Sequence, residues 1–179
     1  GAESVLIAGP GALPTPPGVT RVDVESALDM RAAVLREQAS AAIVVMAAAV
    51  ADFRPASASG RKIKKEELGE GAGLTLELIA NPDILAEISR DRGARIVVGF
   101  AAESHDVLAA ARRKLARKGC DLLVANDISR SDAGFDSDSN AVMLLTPDGQ
   151  VEELPLLAKR EVAARIFDRV EKLREGRRT

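Results

Sequence analysis

Residues 43–65 read IVVMAAAVADFRPASASGRKIKK, and the way this stretch begins and ends decides the fold. Ile43, Val44, Val45 and Met46 form a short, largely β-branched apolar run, as expected of a strand buried on both faces. Ala47, Ala48 and Ala49 then carry the backbone out of the sheet through small side chains, which let a flat ligand approach the main chain. The first carboxylate, Asp52, follows directly. In an open α/β sheet, ligands collect at this carboxyl end of the strands. Further along, Lys62, Lys64 and Lys65 ride a Ser/Gly-containing segment able to fold over an anion. A carboxylate and a lysine flap around a small-residue floor point to a phosphorylated ligand. Taken singly, the lysines read first as a solvated loop and Asp52 as a helix or turn cap. As a ligand group, Asp52 would hold a ribose hydroxyl or a Mg2+ ion between phosphates.

Outward from this stretch, strand patterns alternate with helix patterns. Residues 4–8 (SVLIA) form a short buried-strand pattern stopped by Gly9-Pro10-Gly11, and residues 20–24 suggest a brief second strand. Ser26 reads as an N-cap, followed by a helix to about Gln38 whose apolar face is Leu28, Met30, Ala33, Val34 and Leu35. After the flap, residues 74–78 (LTLEL) alternate as a half-exposed strand does. Asn81-Pro82-Asp83 then opens a helix through Ile84, Leu85 and Ile88. Pro82 at the first helical position leaves free backbone N–H groups beyond it, an anion site in principle. Residues 96–100 (IVVGF) make another buried strand, and residues 106–118 a helix with Val107, Leu108, Ala111 and Leu115 on one side and five cations on the other. Residues 121–126 are a further strand, residues 141–145 and 150–154 flank Pro147-Asp148-Gly149 as a hairpin, and residues 159–174 close as an amphipathic helix. The class is α/β, with a mostly parallel sheet, flanking helices and a C-terminal hairpin. No internal repeat or linker is visible, so the 179 residues read as one domain.

Composition removes several classes of function. The aromatic content is 2% and the net charge is -2, which excludes both a base-stacking platform and a polybasic nucleic-acid face. A single cysteine, Cys120, rules out an internal disulfide framework and fits a reducing compartment, while a single histidine, His105, leaves no Cys/His zinc set and no assignable Ser-His-Asp set. No apolar run approaches a membrane span and the first residues do not read as a secretory signal, so a cytoplasmic location is expected. Lys114 and Lys118, four apart on one helical face, would grip one polyphosphate or read a base edge, against the plainer reading of an exposed basic face. Phe100 is by default core, although its place at a strand's carboxyl end would let it pack on a base. There is no G-x-G-x-x-G and no Walker lysine loop.

Six motifs, AAAVADFRP (47–55), KIKK (62–65), NPDIL (81–85), GFAAES (99–104), ARRKLARKGCDLLVANDIS (111–129) and GFDSDSNAV (134–142), together resemble the bacterial phosphopantothenate–cysteine ligase domain. That domain is often the C-terminal half of a bifunctional coenzyme A biosynthesis protein, joined to a flavin-dependent decarboxylase. The early LIAGPGALPTPPGV is similar to the same family, so the resemblance covers nearly the whole chain. It implies a Rossmann-like fold, a homodimer and a CTP-dependent reaction in two steps. The 4'-phosphopantothenate carboxylate attacks the α-phosphate of CTP to give an acyl-cytidylate and pyrophosphate, and the amine of cysteine then displaces CMP.

Carried over by position, the resemblance implies that Met46, Ala47 and Ala48 offer main chain near the nucleotide and that Asp52 holds the ribose or the Mg2+. Lys62 would neutralise charge on the phosphates in the first step and is the expected catalytic residue. Pro82, Asp83, Ile84 and Leu85 would supply helix-start N–H groups, and Phe100, Lys114 and Lys118 would complete the CTP site. FMN would belong only to a decarboxylase half. The family domain begins with an additional strand, a glycine-rich turn and an Asn-containing segment. This chain begins at what resembles the second strand, so it reads as an N-terminally incomplete domain, expected to be inactive alone. Two rival readings stand beside the ligase: an NAD(P)-dependent oxidoreductase on the same sheet, and a non-catalytic nucleotide-binding or dimerisation module.

Overall fold

The computed structural model describes residues 2–64, 66, 73–128 and 138–177. In chain order its elements begin with β1 (Ser4–Ala8), β2 (Val19–Asp23), α1 (Ala27–Glu37), β3 (Ile43–Met46), β4 (Phe53–Pro55), β5 (Leu78–Ala80) and α2 (Ile84–Arg90). They continue with β6 (Ile96–Glu103), α3 (Val107–Lys118), β7 (Leu122–Asp127), β8 (Ser139–Asn140), β9 (Val142–Leu145), β10 (Val151–Glu153), β11 (Leu157–Ala158) and α4 (Lys159–Gly176). These fall into two compact units, one of Gly1–Ala32 with Ala49–Asp83 and one of Ala33–Ala48 with Ile84–Thr179.

In the first unit, β1 and β2 pair in parallel, from Ser4 opposite Val19 to Ala8 opposite Asp23. The expectation of a buried first strand is corrected: Val5 is 43% and Leu6 38% exposed. Among the described residues β1 has β2 alone beside it, in a two-stranded sheet of its own. The α1 helix starts as read, because the Ser26 hydroxyl accepts the Asp29 N–H at 3.1 Å while the Asp29 carboxylate accepts the Ser26 N–H at 3.0 Å. Met30 is buried and Leu28 exposed, and Ala33 and Val34, on the part of α1 that belongs to the second unit, are buried. The alternating 74–78 segment is not the strand it resembles. The strand is β5, antiparallel to β4 with Phe53 opposite Ala80 and Pro55 opposite Leu78, and Leu74 and Leu76 lie outside it, exposed. Pro55 has no N–H to donate, yet the bonding runs on past it, with the Ala56 N–H donating to the Glu77 carbonyl at 2.8 Å.

The second unit holds a five-stranded sheet in the order β10-β9-β7-β6-β3. Pairs β3–β6 and β6–β7 are parallel, while β7–β9 and β9–β10 are antiparallel, so this sheet is mixed rather than mostly parallel. The parallel joins each have a helix between their strands, and the last three strands return without one among the described residues. The hairpin forms where expected, its turn closed by Gly149 at φ 89°, a left-handed conformation that glycine adopts without strain. The short antiparallel pair β8–β11 gave no sequence signal.

The core of this unit sits on β6 and β7. Ile96, Val97, Val98 and Leu122 to Ala125 are all inaccessible to solvent. Ile96, Val98, Leu122 and Val124 cluster with Val162, Ile166 and Val170 of α4, the period-3.6 face of that helix. On the other face Gly99 allows Leu85 of α2 to come close: a Cβ on Gly99 would lie 2.5 Å from the Leu85 Cδ2 and 3.4 Å from the Cys120 Sγ. The expectation that residues 43–46 are buried on both faces is corrected, since β3 is the sheet's edge and Val45 is 40% exposed. Among the described residues, no helix is long and apolar enough to cross a membrane.

Candidate functional site

At the carboxyl end of β3, Met46 stands beside Gly99 in parallel register, and Ala47 and Ala48 continue beyond it with exposed side chains. With a single methyl on each exposed alanine, the main chain at 47 and 48 is open to close approach, whereas the space beside Gly99 is taken by Leu85. Leu85 and Ile84 are both buried, Ile84 4% and Leu85 9% exposed, so from these two only backbone groups are available to a ligand. The helix begins at Ile84 rather than at Pro82, which places Pro82 and Asp83 ahead of α2. Phe100 is half-buried and packs against the α4-side core, so its ring serves the core in this structure.

Beyond Phe100 the chain turns sharply. Asp106 precedes α3 in the left-handed region at φ 45°, ψ 46°, without a side-chain cap bond. This is the one non-glycine residue with positive φ among the described residues, and strain of this kind is held where the surroundings over-determine the backbone. Just ahead of it the Ser104 hydroxyl lies 2.9 Å from His105 Nδ1. The Lys114 ammonium is paired with Glu103 at 3.3 Å, both side chains about a quarter exposed. Lys114 is therefore already neutralised, and a phosphate would have to compete with Glu103 for it. Lys118 sits one turn on, half-buried at the end of α3.

Sequence reasoning passed over Asn126, opposite Ala102 near the carboxyl end of β7. Its Oδ1 is buried and has no hydrogen-bond partner among the described residues. An unmet acceptor at a strand end is a point where a ligand N–H can bind. Position at the end of an apolar run was the available signal.

In the first unit, Asn81 ties the strand ends. Its N–H donates to the Asp52 carbonyl at 2.8 Å, its Nδ2 donates to the Ala51 carbonyl at 2.8 Å, and its Oδ1 accepts from Arg54 Nη1 at 3.0 Å. Arg54 also donates to the Ala80 carbonyl at 2.8 Å. From the sequence Asn81 reads only as part of a helix opening and Arg54 is given no role, yet together they fix the backbone on which Asp52 stands. The Asp52 side chain is exposed, and among the described residues its carboxylate makes no hydrogen bond or ion pair. Lys62 and Lys64 are exposed on the flap, while Lys65, and residues 134–137 of the last motif, lie outside the described residues. Among the described residues no three His, Cys, Asp or Glu side chains gather to hold a metal. A lone carboxylate such as Asp52 suits Mg2+ held mostly by substrate phosphates and water.

Residues 1–173 match the family model described as the DNA/pantothenate metabolism flavoprotein C-terminal domain. The chain is 44% identical over 168 residues to the coenzyme A biosynthesis bifunctional protein CoaBC of Vibrio cholerae, covering 93% of this chain and 41% of that protein. To the CoaBC of Mycobacterium bovis it is 45% identical over 181 residues, covering 95% and 42%. The chain thus spans about two fifths of the length of these relatives. Among solved structures, the C-terminal domain of a CoaBC superposes with TM-score 0.78 at 38% identity, over 98% of this chain and 78% of that one. The DNA/pantothenate metabolism flavoprotein from Streptococcus pneumoniae, at 18% identity and TM-score 0.77 over 97% of this chain and 82% of that one, shares the fold.

Proposed function

The chain belongs to the family of the DNA/pantothenate metabolism flavoprotein C-terminal domain, and from this premise we propose that it is a phosphopantothenate–cysteine ligase domain of coenzyme A biosynthesis. The reaction joins cysteine to 4'-phosphopantothenate at the expense of CTP. Attack of the substrate carboxylate on the α-phosphate forms a P–O bond and expels pyrophosphate. Attack of the cysteine amine on the resulting acyl carbon then forms the C–N bond and expels CMP. The observation that carries this reading is the small-residue exit at the carboxyl end of parallel strand β3, where Ala47 and Ala48 follow Met46 with exposed side chains.

In the second unit, the proposed CTP contacts are the main chain of Met46, Ala47, Ala48, Ile84 and Leu85 and the Phe100, Lys114 and Lys118 side chains. In the first unit they are Asp52, Pro82, Asp83 and the catalytic Lys62, with Asp52 also serving Mg2+. The role of Lys62 is electrostatic: an ammonium beside the departing pyrophosphate stabilises charge that grows in the transition state. The Asn126 acceptor suits an exocyclic amine, which a cytosine presents and a uracil lacks.

Differential stabilisation by nucleotides tests the reading. A larger rise in melting temperature with CTP than with UTP, NAD+ or NADP+ is expected, together with pyrophosphate release that depends on both CTP and 4'-phosphopantothenate. Preferential stabilisation by NAD(P) would replace the ligase with an oxidoreductase. Absence of any nucleotide effect would leave a non-catalytic module.

A further inference from the structure

At the opposite end of the second unit's sheet, the loops leading into β3 and β6 and the end of α4 enclose an open cavity of about 520 Å3. Four arginines line it, Arg92, Arg95, Arg174 and Arg177, and the rest of its wall is small, including Ala42 and Ala94. None of the residues assigned to CTP takes part.

Much of the donor capacity of these arginines is engaged. Arg92 donates to the Ser89 carbonyl at 2.8 Å and the Gly119 carbonyl at 3.0 Å, and pairs with Asp121 at 3.1 Å. Arg177 donates to the Arg95 carbonyl at 2.6 Å and also reaches Asp121, whose other oxygen accepts the Val97 N–H at 2.8 Å. Arg92 thus holds the ends of α2 and α3, Arg177 the start of β6, and the two share one buried carboxylate, as structural arginines do. The other two differ. Arg95 spends its Nη atoms on the Gln38 and Asp91 carbonyls, but its Nε is buried without a partner. The Arg174 guanidinium has no hydrogen-bond or ion-pair partner among the described residues.

Four guanidinium charges line the cavity and one carboxylate, Asp121, pairs with two of them, while the other lining residues are alanines, Gly93 and Ser40 and carry no charge. Buried donors without acceptors are rare unless something meets them. Guanidinium binds phosphate in a two-pronged geometry that an ammonium does not match. A volume in the range of small-molecule sites, with an alanine wall, has room for an organic body beside the anion. The geometry points to a second binding site for a phosphomonoester, held by Arg95 and Arg174 and lined by none of the residues assigned to the nucleotide.

Isothermal titration of the whole chain with ribose 5-phosphate tests this, with inorganic pyrophosphate as a second arm that offers charge without an organic body. Saturable ribose 5-phosphate binding that weakens as salt rises is expected. Arg174→Gln should raise its Kd ~10-fold or more, the cost of one lost charge-assisted bond pair, and Arg95→Gln should do the same. Lys62→Gln, in the proposed nucleotide site, should leave this Kd unchanged. Because Arg95 also holds two loop carbonyls, Arg95→Gln can lower the melting temperature, so Arg174→Gln, which breaks no bond to a described residue, decides the matter. The proposal is overturned by absence of binding, by equal affinity in Arg174→Gln, or by loss confined to Lys62→Gln. Tighter binding of pyrophosphate than of ribose 5-phosphate would overturn the assignment to a phosphomonoester. Loss of CTP stabilisation in Lys62→Gln alone bears on the ligase reading and not on this one.

Discussion

Lys62 and Gly99 show how differently single residues act in this molecule. Lys62 is exposed on the flap, so Lys62→Gln should cost little folding energy while sharply reducing acyl-cytidylate formation in a single-turnover assay. Equal rates for variant and parent would remove the lysine from the mechanism. Gly99 sits under Leu85, and a methyl at 2.5 Å from Leu85 Cδ2 requires that side chain to move. Gly99→Ala is therefore expected to destabilise by about 1–3 kcal/mol in urea unfolding, and shortening the neighbour by Leu85→Val in the same chain should recover part of the loss. Cys120 adds a pH effect. Burial in the core raises its thiol from the ordinary 9.0 to about 11. The native state keeps the proton where the unfolded chain releases it, so the contribution is complete below about pH 9 and falls as pH rises toward 11. A stability profile that is flat across that window in the parent, or equally steep in Cys120→Ala, would contradict this. Native-state alkylation at pH 8 should be slow and become fast in denaturant.

At the level of elements, the start of α1 is the clearest case of sequence writing structure. Ser26 and Asp29 exchange two bonds to each other's backbone, with the Ser26 hydroxyl 2.7 Å from the Asp29 carboxylate. That hydroxyl is the main cause that holds the Asp29 carboxyl below its ordinary 3.8. The contribution is present above that value and is lost as pH falls through the depressed one. Ser26→Ala should lower stability at neutral pH, flatten the acid limb of the stability profile, and move the Asp29 titration, followed by NMR, back toward 3.8. The β4–β5 ladder is the contrary case. Residues 74–78 carry the better alternation, yet the pairing falls on Leu78–Ala80, where Asn81 and Arg54 lock one end of the two strands. Alternation reports which residues suit a pleated surface, not which partner they will find.

For the molecule as a whole, the exposed edge of the sheet bears on association. We propose a homodimer, with the hairpin as its natural interface. The β10 strand is the outer edge of the second unit's sheet, so its free backbone groups can pair with a second copy across a two-fold axis. Glu152 and Glu153 are exposed on that edge and would repel their own copies unless met by cations. Sedimentation at micromolar concentration should show a dimer whose affinity increases with salt, since screening weakens that repulsion. A monomer under all salt conditions would refute the interface. The arginine cavity lies at the amino ends of β3 and β6, away from this edge, so a phosphomonoester is not expected to shift the association equilibrium.

The sequence by itself determined where regular structure occurs: the β6 and β7 strands, the α1, α3 and α4 helices and the β9–β10 hairpin stand within a few residues of their reading. Each depends on the apolar spacing and the cap or turn residues of its own segment, such as Val162, Ile166 and Val170 on one face of α4. The six motifs likewise carried the family. Pairing between distant segments was decided only by the tertiary structure. Thus Val45 looks like a core residue and is 40% exposed, because β3 closes the sheet and one of its edges has no neighbour among the described residues. Lys114 looks like a free cation and is paired with Glu103, which comes from a different element. Asn126 and Arg95 are ordinary letters in the chain, and their unmet groups exist only where burial has removed water without supplying a partner. Periodicity is local and is written in order along the chain. Burial, charge compensation and open donors arise from residues far apart in sequence, and only folding brings those together.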